Sequence, residues 1–150
     1  VYDLTRSRKL AMRREGERSF VDLDLPSAAG RILAVYPRPI DRVEMNVGST
    51  VQTGGTIALN IQLLTEPNEP APGVQPLEIV LETPEGNRTF RHSAETGNLR
   101  LELPVPDAAQ PGKWTIRVRD LTTGKTARET VAVGTGDTRT VIRWRQTEDE

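Results

Sequence analysis

Apolar residues at every second position are the feature that most limits what this chain can become. The clearest run begins at Thr56. Ile57, Leu59, Ile61 and Leu63 point one way, and Ala58, Asn60 and Gln62 point the other. Leu77, Ile79 and Leu81 alternate with Glu78 and Glu82, and Leu99, Leu101 and Leu103 alternate with Arg100 and Glu102. Trp114, Ile116 and Val118 alternate with Thr115, Arg117 and Arg119. Val43, Met45 and Val47 supply an earlier strand, and Val131 and Val133 a final one. A period of two belongs to the β-strand, whose successive side chains face opposite sides of the sheet. One apolar face and one charged face suit a sheet packed on one side and wet on the other. No segment longer than a turn has a helical period.

Turn residues fall between these runs. Pro84-Glu85-Gly86-Asn87 predicts a hairpin turn before a strand starting at Arg88, and Thr122-Thr123-Gly124-Lys125 another. Gln110-Pro111-Gly112 makes a sharp loop ahead of Lys113. Ser49 to Gly55 is expected to be a bend, and the Pro-rich stretch from Glu66 to Pro76 a stiff loop joining two sheets. About seven short strands between Asp41 and Gly134 predict an all-β chain. The fold class is an immunoglobulin-like antiparallel β-sandwich, with extra N-terminal strands from a partial second β unit.

Three units follow. Residues 1–40 are expected to be a partial, strand-rich unit. Its strands are Val1 to Leu4, Lys9 to Arg14, Arg18 to Leu25 with Val21, Leu23 and Leu25 inward, and Arg31 to Tyr36. Pro26 to Gly30 makes a turn, and Pro37-Arg38-Pro39 a rigid linker. Such a unit is half a sandwich, so the chain is expected to begin inside a domain whose earlier strands lie elsewhere. Residues 41–134 form the sandwich. Residues 135–150 are a strand around Val141 and Ile142 and a frayed tail. The strand at Thr138 to Arg145 is free to pair with residues 1–40 or with another molecule.

Composition narrows the function. Twenty Lys and Arg stand against 21 Asp and Glu, so no overall field attracts nucleic acid or an anionic membrane. No apolar run approaches the ~18 residues a membrane helix needs. The absence of cysteine removes disulfides, thiolate catalysis and Cys-based zinc sites.

Candidate chemistry is sparse. His92 is the single histidine and cannot supply a multi-His metal site; it reads as an ordinary surface or edge residue. Asp22 and Asp24 have a spacing that could suit a glycosidase pair or a calcium ligand pair, but a solvated strand face explains them better. Ser7, Ser19, Ser27, Ser49 and Ser93 sit in no nucleophile-elbow pattern. Gly54-Gly55 lacks the Gly-Lys-Ser/Thr of a phosphate loop and suits a sharp turn. Trp114 is in phase with the core. Trp144, between Arg143 and Arg145, is the one candidate ligand contact. Tyr2, Phe20, Tyr36 and Phe90 form no visible stacking platform. Arg117 and Arg119 are expected to make cross-strand ion pairs on the wet face.

Two local patterns carry resemblances. Val1-Tyr2-Asp3-Leu4, Val21-Asp22-Leu23-Asp24-Leu25-Pro26 and Gly30-Arg31-Ile32-Leu33-Ala34-Val35-Tyr36 resemble the last strands of a small C-terminal β-sandwich. That sandwich follows the catalytic barrel of bacterial glycoside hydrolases of the beta-galactosidase-like kind. Val51-Gln52-Thr53-Gly54-Gly55-Thr56-Ile57-Ala58-Leu59, Leu103-Pro104 and Pro111-Gly112-Lys113-Trp114-Thr115-Ile116-Arg117-Val118 are similar to macroglobulin-like and immunoglobulin-like domains of bacterial surface proteins. The resemblances imply a non-enzymatic accessory module without cofactor or metal, placed in the extracellular space or cell envelope. Its expected partners are other domains of the parent protein, or a second copy paired through edge strands. The alternatives are a carbohydrate-binding module and a strand-exchange interaction module.

Overall fold

Five short strands open the chain: β1 (Tyr2–Asp3), β2 (Arg8–Lys9), β3 (Arg13–Glu15), β4 (Arg18–Phe20) and β5 (Leu33–Ala34). The computed structural model describes residues 1–136. β1 lies between β2 and β5 in a small antiparallel sheet, and β3 and β4 form a separate hairpin. The strand expected from Lys9 to Arg14 is therefore split between two sheets, with buried Leu10 at the division. The strand expected from Arg18 to Leu25 stops at Phe20. Its inward residues are not inward: Val21 is half-buried, while Leu23 and Leu25 are 37% and 52% exposed. Alternation marks a strand only where an opposing layer covers one face, and none covers this segment.

The sandwich comprises β6 (Ile40–Val47), β7 (Thr50–Gln52), β8 (Thr56–Thr65), β9 (Glu69–Pro70), β10 (Val74–Thr83), β11 (Gly86–Glu95), β12 (Asn98–Pro104), β13 (Gly112–Asp120) and β14 (Thr126–Gly134). Their order along the sheet is β6-β8-β12-β11-β10-β13-β14-β7, with β9 paired to β8. The ladder between β11 and β12 consists of one residue pair, Glu95 with Asn98. There the sheet curls, leaving a three-stranded layer (β6, β8, β12) over a five-stranded one (β11, β10, β13, β14, β7). Every pairing is antiparallel except β7 with β14.

The alternating runs meet between the layers. Ile57, Leu59, Ile61 and Leu63 of β8 lie in one core cluster with Leu77, Ile79 and Leu81 of β10, Trp114, Ile116 and Val118 of β13, and Val131 and Val133 of β14. Each fully buried Leu, Ile or Val is worth about 1.5–3 kcal/mol of transfer free energy, so this seam holds the two layers together.

Two stretches expected to be irregular contain strands. Ser49 to Gly55 holds β7, in which only Val51 packs against the core. Glu66 to Pro76 holds β9, which offers the core no apolar side chain. One inward residue or none gives no alternation to read. The second stretch does connect one layer to the other, from β8 to β10.

Candidate functional site

The N-terminal sheet is fixed to one end of the sandwich by buried contacts. Tyr2 is buried, and its ring meets Tyr36 edge-on with centroids 5.9 Å apart. The Ile40 amide donates to the Tyr2 hydroxyl at 3.1 Å. Burial and the nearby Asp120 carboxylate raise the Tyr2 pKa against the opposing effect of that hydrogen bond. Ser7 Oγ donates to the Leu121 carbonyl at 2.7 Å, in the turn between β13 and β14. Asp120 shapes that turn by accepting from the amides of Thr122 and Thr123 at 3.0 and 3.1 Å.

Asp3 holds the small sheet together. Its side chain is fully covered and accepts from Arg31 Nη1 at 2.6 Å and from the Thr5 amide at 3.0 Å. Burial works to raise its pKa, but the Arg31 guanidinium and the backbone amides of Thr5 and Arg6 outweigh it and hold the carboxyl below its ordinary value. A lowered folded pKa stabilises above the unfolded value of about 3.9 and is lost as pH falls through the folded one. Asp3→Asn is therefore expected to unfold more readily than the native chain at neutral pH, with the gap closing in acid. Urea midpoints across the pH range check this. A gap that stays constant into acid contradicts it.

The same segment also carries uncovered apolar side chains. Met12, Phe20, Leu23, Leu25, Ile32, Leu33 and Val35 are all exposed, Ile32 at 67% and Val35 at 75%. Val74 is the only further large exposed apolar residue among those described. Phe20 carries Arg13 over its ring at 5.5 Å. Of these, only Leu23 and Leu25 are expected inward from the sequence; the strand patterns here are too short to reveal an uncovered face.

The residues singled out in the sequence are not brought together. Asp22 and Asp24 are exposed and lie on no strand. His92 is half-buried on β11 opposite Leu77, on the core side of the open edge. Among the described residues, no group of three or more His, Asp or Glu could hold a metal ion. Gly54 and Gly55 form a turn in which the Gly55 amide donates to the Gln52 carbonyl at 3.0 Å. Trp114 is 3% exposed and donates from Nε1 to the Gln110 carbonyl at 3.2 Å. Trp144 and the strand expected at 138–145 lie outside the described residues. Arg117 makes its cross-strand ion pair with Glu82 at 4.0 Å, and Arg128 reaches the same carboxylate at 3.3 Å.

No protein-family model matches the chain, and no curated protein matches it. Solved structures share its outline weakly. One is the alkylpurine DNA glycosylase AlkC of Pseudomonas fluorescens bound to DNA, at 17% identity and a TM-score of 0.43, covering 63% of this chain and 31% of that one. A second is the beta-glucosidase of Listeria innocua, at 13% identity and 0.45, covering 80% of this chain and 20% of that one. A third is the CARDB domain of a Pyrococcus furiosus protein in complex with di-metal ions, at 13% and 0.43, covering 69% of this chain and all of that one. The chain thus spans about a third of the glycosylase and a fifth of the beta-glucosidase. At these values the likeness carries no conclusion about this chain, whose all-β, sandwich-like fold rests on its own strand pairing.

Proposed function

We propose that this chain is a non-catalytic, immunoglobulin-like accessory module of a larger bacterial glycoside hydrolase-like or surface protein, and that it packs against a neighbouring domain through residues 12–35. One observation carries the reading. Seven of the eight large exposed apolar side chains among the described residues fall between Met12 and Val35. Exposed large apolar side chains concentrated in one segment mark a place of contact. The small sheet next to it is anchored to the sandwich by the Tyr2 and Ser7 contacts, and the Asp3–Arg31 pair ties Arg31 to that sheet. The buried carboxylates support a structural role: Asp3 and Asp120 are both engaged by amides.

The test compares one double change in two settings. Ile32→Ser with Val35→Ser is expected to leave the unfolding free energy of the 150-residue chain within about 0.5 kcal/mol of native, as exposed substitutions do. In the parent protein, the same change is expected to loosen the domain and speed proteolysis beside it. Equal destabilisation of the isolated chain, or an unaffected parent, contradicts the reading.

A further inference from the structure

The outer face of the three-stranded layer departs from ordinary strand composition. Two polar rows cross it in register: Glu44, Gln62 and Asn98 in one, Asn46, Asn60 and Arg100 in the next. All six side chains are exposed, and they line a concavity of about 370 Å³. Gln62 Nε2 donates to Asn98 Oδ1 at 3.2 Å, which fixes the plane of both carboxamides.

Asparagine is disfavoured in strands because its short amide competes for the backbone. Three of the five asparagines in the chain nonetheless stand in adjoining positions here. Threonine would satisfy an exposed strand face without that cost. A local preference set aside at several neighbouring positions is the signature of a site with another task.

The chemistry of the six residues describes the ligand. The Asn46 and Asn60 carboxamides present donors and an acceptor in one plane, which matches a hydroxyl that both donates and accepts, while Asn98 is held in place by donating to the Thr96 carbonyl at 2.9 Å. Arg42 pairs with Glu44 at 2.7 Å, and the exposed Glu102 follows Arg100 along the same face, so the charges balance and the face suits a neutral molecule. Three strands at ~4.8 Å spacing and two rows separated by two residues of ~3.4 Å rise give a patch of about 10 by 7 Å, the footprint of one or two sugar rings. No aromatic side chain lines it, so binding rests on hydrogen bonds.

We propose that this face binds a neutral, polyhydroxylated ligand, a short stretch of oligosaccharide. The surface is separate from residues 12–35, and the two proposals stand or fall independently.

The test is a titration of the isotopically labelled 150-residue chain with maltohexaose, cellohexaose and mannohexaose, followed by the side-chain amide resonances. At least one sugar is expected to shift Asn46, Asn60, Gln62 and Asn98 saturably, with a Kd on the order of 1 mM. Asn60→Thr keeps a strand-compatible residue and is expected to weaken that Kd by about fivefold to tenfold, as is Gln62→Ala, each with an unchanged unfolding midpoint. No shifts with any of the three sugars would overturn the proposal. So would shifts confined to another surface, or undiminished binding in both variants.

Discussion

Gly97→Ala is expected to lower the unfolding free energy by about 2–5 kcal/mol, the sum of a backbone and a steric effect. Gly97 lies in the two-residue turn that passes the chain from β11 to β12, where the sheet curls. Thr96 and Gly97 have φ of 49° and 73°, both in the left-handed region that such hairpin turns require. The turn is buried against two other segments. The Gly97 amide donates to Gln75 Oε1 at 3.1 Å, and its carbonyl accepts from the Leu63 amide at 2.8 Å. A Cβ at Gly97 would stand 2.5 Å from the Ala71 nitrogen and 2.7 Å from the Leu63 oxygen. Those are backbone atoms of the strand ladder and cannot turn aside. Gly16→Ala is the control: φ there is +59°, but nothing lies within 4 Å of the added carbon. It is expected to cost about 1 kcal/mol, the backbone effect alone. Urea unfolding of the two variants separates these contributions. Equal losses would show that Gly97 is not wedged between segments.

Trp114→Ala is expected to cost about 3–5 kcal/mol, the range for removing a large buried aromatic side chain. The ring is 3% exposed and shares the core with Ile57, Leu103 and Val131. Removal leaves a cavity between the layers and frees the Gln110 carbonyl that Nε1 now satisfies. Domains of this size have total stabilities of only about 5–15 kcal/mol. The variant is expected to show a sharply lowered urea midpoint, with the native value partly restored in Trp114→Phe. A loss under about 1 kcal/mol would contradict a close-packed interior.

The sandwich was legible because burial and alternation coincide in it. Every apolar residue assigned inward on β8, β10, β13 and β14 is buried. On β12 only Leu103 is, with Leu99 and Leu101 half-buried at the open side of the sandwich. Where packing is one residue deep, as at Val51, or absent, as at Glu69 and Pro70, the strand exists through backbone pairing alone and leaves no mark in the side chains. β11 carries a weak mark: of its core-side positions Arg88, Phe90, His92 and Ala94, Ala94 is buried in the core and Phe90 packs partly against it. Charge on the inward face of an edge strand hinders further pairing and weakens the hydrophobic alternation, so this strand is legible from the turn before Arg88 and not from its own pattern.

Residues 1–36 misled for the opposite reason. Val21, Leu23 and Leu25 have the spacing of a buried strand, but nothing among the described residues covers Leu23 and Leu25. Sequence alone cannot separate a side chain buried within its own chain from one left for a neighbour. The amide-rich face is legible in part, since the alternation on β8 points Asn60 and Gln62 outward. Its extent depended on the register that sets Asn46 and Asn98 beside them.

Native-state hydrogen exchange on the native chain and on Trp114→Ala tests most directly whether one interior couples both layers. The opening free energies of the slowest amides in β8 and β12 are expected to fall by the same amount as those in β13, although Trp114 belongs to the opposite layer. A fall confined to β10, β13 and β14, with β8 and β12 unchanged, would show two independent sheets in place of a sandwich.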